Sequence, residues 1–213
     1  MTLLYRSVRD IVRVAFRLAG RTTVIGYDHI PPTGGVNVAC NHVSYLDPPL
    51  VGSTIRRECT FMARLDLWDR PLMGKLISRL NAFPVKRDSA DRAAIRQAVS
   101  MLERGLVLVL FPEGTRSPDG LLQRPHPGLA LIVQKARVPV IPTAVVGPET
   151  MLPVGSRRLR RARLKVAFGP AVEFGAEATR DEILETVMDR IADLLREHRP
   201  HVRTGRESHS PAE

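Results

Sequence analysis

The chain has 213 residues, 44% hydrophobic and 25% charged, a balance that supports one globular domain and excludes a disordered or fibrous chain. Two cysteines, Cys40 and Cys59, exclude a disulfide framework and a four-thiolate metal site, and fit a reducing compartment. Lys and Arg outnumber Asp and Glu by 32 to 22, and the net charge of +10 implies an anionic partner, while 5% aromatic residues are too few for a base-stacking surface.

In chain order, residues 1–20 read as a helix. Leu4, Val8, Ile11, Ala15 and Leu18 recur at spacings of four and three, and Val12 and Phe16 widen that face. Arg6, Arg9, Arg13 and Arg17 form a second stripe. Such a helix suits a membrane interface, with its apolar face in the acyl boundary and its arginines at anionic head groups. The same pattern also suits a first helix packed on a core. No apolar run marks a secretory signal, and no stretch of about 18 apolar residues predicts a bilayer span.

Residues 22–27 read as a short strand, 31–35 as a loop and 36–40 as a buried strand. Pro48 and Pro49 open a short helix to about Ile55, with Asp47 expected as its N-cap and Pro48 at its first position. A strand is expected at 59–62, a helix at 72–80 and a short strand at 83–85. Residues 89–104 predict a helix capped by Ser89, with Asp91 in its first turn and Gly105 at its end. Residues 106–111 form a continuous apolar run, the pattern of a strand buried on both faces.

Beyond this, 128–137 reads as a helix, 140–146 and 164–168 as strands, and 179–198 as an amphipathic helix. Residues 157–165 gather Arg157, Arg158, Arg160, Arg161, Arg163 and Lys165 with no acid. This stretch suits an anionic surface, or a solvated basic loop. Residues 200–213 read as a disordered tail. Helices alternating with buried strands predict a single α/β domain over 21–199. Its central sheet is mostly parallel and flanked by helices, and the amphipathic helix precedes it.

Two polar loops follow buried strands, where open α/β sheets bind their ligands. In the first, His42 leaves a strand and Asp47 enters a helix. A turn between them can bring carboxylate to imidazole, fixing the tautomer and leaving the other ring nitrogen as a general base. The second loop runs Phe111-Pro112-Glu113-Gly114-Thr115-Arg116-Ser117. Its glycine, hydroxyls and arginine suit an anion cradle. Glu113 fits less well there, and is expected either to orient Arg116 or to accept from a substrate hydroxyl. The loop lacks the lysine and spacing of a P-loop.

Taken together, these blocks resemble the glycerolipid acyltransferase family, most closely its 1-acylglycerol-3-phosphate acyltransferases. The family's Asn-His block with an Asp five residues after the His stands at Asn41, His42 and Asp47, and its Phe-Pro-Glu-Gly-Thr-Arg-Ser block at 111–117. A third block spans 81–87, keeping Arg87 but placing Asn81 where the family usually has Gly. A fourth, Val-Pro-Val-Ile-Pro, stands at 138–142, and the likeness covers roughly 25–170.

The resemblance implies transfer of a fatty acyl group from a thioester of coenzyme A or acyl carrier protein to the free hydroxyl of 1-acylglycerol 3-phosphate, giving phosphatidic acid for phospholipid biosynthesis. It implies His42 and Asp47 as the catalytic pair. Arg87, Glu113, Gly114, Thr115 and Arg116 would bind substrate. Neither a cofactor nor a metal is implied. The expected setting is peripheral, on the cytoplasmic face of an anionic membrane. The residues leave other acceptors open: glycerol 3-phosphate, another lysophospholipid or a glycolipid. A nucleic-acid-binding module lacks zinc spacing and aromatic platforms here. Cys40 as a nucleophile competes with its simpler reading as buried packing.

Overall fold

A computed structural model describes residues 2–86, 91–153, 155–156 and 158–199. Helix α1 (Leu3–Ala19) leads into strand β1 (Gly20–Ile25). Then come β2 (Val36–Cys40), α2 (Asp47–Thr54), β3 (Cys59–Arg64), α3 (Pro71–Arg79) and β4 (Ala82–Val85). The second half holds α4 (Arg92–Glu103), β5 (Val107–Leu110), α5 (Gly128–Ala136), β6 (Val140–Val146), a short α6 (Pro148–Met151), β7 (Ala162–Phe168) and α7 (Arg180–His198).

The strands form one seven-stranded sheet in the order β1-β7-β6-β2-β5-β3-β4. Only β6 and β7 pair antiparallel; every other neighbouring pair is parallel. The expected α/β domain with a mostly parallel sheet is therefore what the chain forms. Strands β2 and β5 are buried at every residue, as strands between two helical layers must be.

Side chains alternate between the two layers. Val36, Val38 and Cys40 face a core shared with Tyr5 and Phe16 of α1 and with Leu50 and Val51 of α2. Ala39 faces the opposite core, filled by Ala98 and Leu102 of α4, Leu129 and Ile132 of α5, and Ile183 and Ile191 of α7.

Several expectations need correction. The stripe Leu4, Ile11, Ala15 and Leu18 does not pack on the core. Ile11 is 67% exposed and Leu18 74%, while α1 docks through the flank of that face, where Tyr5 and Phe16 are buried and Val12 packs beside them. Tyr5 gains a hydrogen bond there, its hydroxyl accepting from the Cys59 amide at 2.9 Å. Arg9 and Arg13 turn back as well, donating to the carbonyls of Arg56 and Ser53 at the end of α2. Strand β1 begins two residues early because Gly20 allows contact with β7: a Cβ there would lie 2.2 Å from the Ala162 carbonyl oxygen. That pairing also extends β7 back to Ala162.

Asp47 is not an N-cap. Leu46 holds that position, and the carboxylate bonds backward into its own turn. Helix α4 starts at Arg92, where the Asp91 carboxylate accepts from the Ala93 and Ala94 amides. Ser89, Arg87, Arg157 and the 200–213 tail lie outside the described residues. In α7, Thr179 and Glu182 form a capping box. Asn81 stands at φ 61°, the left-handed conformation a glycine would supply, and asparagine is among the side chains that tolerate it. Its amide donates to Glu58 at 2.9 Å, so the replacement keeps the turn.

Candidate active site

Strands β2 and β5 are parallel neighbours, with Ala39 opposite Leu110. The loops that leave them therefore emerge side by side at the carboxyl edge of the sheet. One carries His42 and Asp47, the other Glu113 to Arg116.

The first loop is organised by one carboxylate oxygen. Asp47 is 0% exposed, and its Oδ2 lies 2.7 Å from His42 Nδ1, 2.6 Å from the Val43 amide and 2.8 Å from the Ser44 amide. Its charge also sits at the first turn of α2, where the helix dipole favours an anion. An ionised carboxylate only accepts, so Nδ1 carries the proton and Nε2 keeps its lone pair. The imidazole stacks on Phe111 at a centroid distance of 4.2 Å and an interplanar angle of 27°. The His42 side chain is 16% exposed, with one ring nitrogen fixed by the acid and the other free to take a proton.

The second loop clamps the backbone of the first. The His42 amide donates to Glu113 Oε1 at 2.8 Å, and the Ser117 amide donates to the His42 carbonyl at 2.7 Å. The Gln123 amide donates to Glu113 Oε2 at 2.9 Å. Both Glu113 oxygens thus serve main-chain donors, rather than orienting Arg116. Glu113 is 2% exposed, and burial pushes its carboxyl up to about 7 against the two amides that favour its ionised form.

Gly114 is at φ 62°, and a Cβ there would meet His126 Cδ2 at 2.6 Å. Gly114 and Thr115 are exposed beside the buried Glu113. The Arg116 guanidinium lies 3.4 Å from the centre of the Tyr45 ring, a cation–π contact that ties the two loops together at the surface. His42, Asp47, Glu113 and Arg116 are thus all placed within these two linked loops; Arg87 is not among the described residues.

Some contributors carry no sequence signal of their own role. Asn41 lies just past β2 and extends its pairing with β6: its side chain donates to the Val145 carbonyl at 2.9 Å and accepts from the Val145 amide at 2.7 Å. Phe111, Tyr45 and Gln123 act through contacts between segments that spacing cannot reveal. Asn41 and Phe111 do stand inside the recognised blocks, and that was the available signal. Cys40 is fully buried, and burial raises its thiol well above the ordinary range, as inert packing requires. Among the described residues, no group of three or more His, Cys, Asp or Glu is placed to hold a metal ion.

A family model described as "Acyltransferase" matches residues 21–146, which include both loops and the strands beneath them. The chain belongs to the acyltransferase family. The 1-acyl-sn-glycerol-3-phosphate acyltransferase of Bacillus subtilis is 26% identical over 168 residues, covering 78% of this chain and 81% of that protein. A probable 1-acyl-sn-glycerol-3-phosphate acyltransferase of Mycoplasma pneumoniae is 25% identical over 167 residues, covering 76% of this chain and 62% of that one. The crystal structure of the 1-acyl-sn-glycerophosphate (LPA) acyltransferase PlsC from Thermotoga maritima superposes with a TM-score of 0.82 at 25% identity, covering 94% of this chain and 81% of that one. This acyltransferase has, among its described residues, no helix long and apolar enough to cross a membrane.

Proposed function

We propose that this acyltransferase moves a fatty acyl group from a thioester of coenzyme A or acyl carrier protein to the free hydroxyl of 1-acylglycerol 3-phosphate, giving phosphatidic acid. The observation that carries the reading is the 2.7 Å contact between His42 Nδ1 and the buried Asp47 carboxylate. An alcohol is a weak nucleophile at neutral pH and needs a positioned base. Nε2 of His42 takes the hydroxyl proton while the oxygen attacks the thioester carbonyl. The new C–O bond forms, the tetrahedral adduct collapses with loss of the C–S bond, and the imidazolium returns its proton to the departing thiolate. Asp47 stabilises the transient imidazolium and keeps the ring from rotating.

The acceptor phosphate calls for guanidinium donors. Arg116, held on Tyr45 beside the exposed Gly114 and Thr115, fits that task, and Arg87 is the second candidate by the family pattern. No cofactor or metal enters this chemistry. Acceptor and product are lipids, so the chain must meet a bilayer. The exposed row Leu4, Ile11, Val14 and Leu18 on α1 suits a peripheral contact, on the cytoplasmic face where anionic lipids draw a basic protein.

The test is an acceptor panel assayed against one acyl thioester. Phosphate-bearing 1-acylglycerol 3-phosphate should be the preferred acceptor over its phosphate-free counterpart. Arg116→Ala should lower kcat/KM for the former by about tenfold or more, while leaving the latter nearly unchanged. Equal losses on both acceptors, or a wild-type preference for the phosphate-free lipid, would contradict the assignment.

A further inference from the structure

The two basic segments of the sequence, one near residue 20 and one near residue 160, meet in the folded chain. Strands β1 and β7 pair with Gly20 opposite Ala162 and Arg21 directly opposite Arg163. Arg17 of α1 and Arg161 join them around an open cleft of about 440 Å³, and Leu18 lines its side. None of the described residues lining the cleft is acidic. Among the described residues, none of these four arginines is joined in an ion pair.

This arrangement is costly in isolation. Like charges placed directly opposite on neighbouring strands repel, and Arg21 and Arg163 stand in that relation. Gly20 enforces the closeness, since even a methyl group there would strike the Ala162 carbonyl oxygen. Arginines gathered along one cleft without a carboxylate offer the donor set of an anion site, and phosphate suits their planar forks.

What the anion belongs to follows from the surroundings. Leu18 is 74% exposed and ends the row Leu4, Ile11, Val14 along α1, so guanidinium groups and an unpartnered apolar stripe adjoin. A head group with its acyl chains presents the same pairing of charge and hydrocarbon. The cleft is also distinct from the reaction centre. Strand β1 lies three strands from β2 in the sheet, a lateral separation of roughly 14 Å from the strand that leads into His42.

We propose that Arg17, Arg21, Arg161 and Arg163 form a binding site for the phosphate of an anionic membrane lipid, separate from the acceptor site and fixing how the domain sits on the bilayer. This rests on the reading that the enzyme works at a membrane.

The experiment compares binding of the whole chain to phosphatidylcholine vesicles with and without phosphatidylglycerol. Wild type should bind both and favour the anionic vesicles. The triple variant Arg21→Gln, Arg161→Gln, Arg163→Gln should lose most of that preference, on the order of a hundredfold at about fivefold per charge, while keeping its affinity for phosphatidylcholine alone. Its melting temperature should hold or rise, because repulsion is relieved. A control triple, Arg92→Gln, Arg96→Gln, Arg190→Gln, removes the same net charge from exposed positions on α4 and α7, and should keep the preference. Equal losses in both triples would overturn the site in favour of a diffuse charge effect. Unchanged vesicle binding with selective loss of turnover on acyl carrier protein thioesters would overturn it in favour of a protein partner. Failure of wild type to bind either vesicle would overturn the membrane reading itself, and the lipid site with it.

Discussion

The turn from His42 to Asp47 and the helix α1 are opposites in how tightly the fold holds their side chains. In the turn, one buried carboxylate oxygen accepts three donors, the ring rests on Phe111, and the second loop binds the His42 amide and carbonyl. Helix α1 is held by Tyr5 and Phe16 on one side and leaves leucines, isoleucine and valine in solvent on the other. The first region is held as the proposed base requires, since a base is useful only at a fixed angle and protonation state. The second is left incomplete, and an exposed apolar stripe of that length marks a surface meant to be covered.

Breaking the turn should have the largest effect. Asp47→Asn keeps the shape but offers an amide where three donors converge. Loss of the tautomer and of imidazolium stabilisation should lower turnover by about a hundredfold to ten-thousandfold, measured as thiol released from acyl-coenzyme A. Turnover within a few fold of wild type would mean that the contact only shapes the turn.

The α1 side of the comparison is sharpened by Leu4→Ser, Ile11→Ser and Val14→Ser together. These side chains are exposed, so the fold should melt at nearly the wild-type temperature. Co-sedimentation with vesicles, neutral or anionic, should fall on the order of a hundredfold. Unchanged co-sedimentation would remove α1 from the membrane.

A smaller effect concerns the clamp between the loops. The Glu113 carboxyl is raised from 4.5 to about 7, so the folded chain binds that proton more tightly than the unfolded one. This group's contribution is most favourable below the unfolded value and is lost as pH rises through the folded one, so it lowers stability with rising pH between those limits. In urea titrations Glu113→Gln should remove that downward slope, a change of about 1–3 kcal/mol across the window. Parallel pH profiles for wild type and variant would show that Glu113 does not titrate there.

Much of this was legible from residue order. Strands β2 and β6 have the bounds expected of them, because burial on both faces leaves little freedom in composition. The two loops were legible as a pair because their residue types are unusual after buried strands. Asp47 was legible as the partner of His42 but misleads as an N-cap, because Asp before Pro-Pro is also that signature; the folded turn puts Leu46 in that place. In α1 the period announces a helix, yet only one flank of its wide apolar face reaches the core. The aromatic pair Tyr5 and Phe16 wins over the longer aliphatic stripe, helped by the Cys59 amide on the Tyr5 hydroxyl. The reversal of β7 against β6 and the meeting of distant arginines are long-range facts, which local pattern does not encode.

The central claim is that His42 is the base. Substituting His42→Ala in the full chain and following free thiol released from acyl-coenzyme A in the presence of 1-acylglycerol 3-phosphate tests it most directly. The account predicts loss of turnover by at least about a hundredfold in a protein that still folds and still binds vesicles. Near-wild-type turnover in that protein would contradict it.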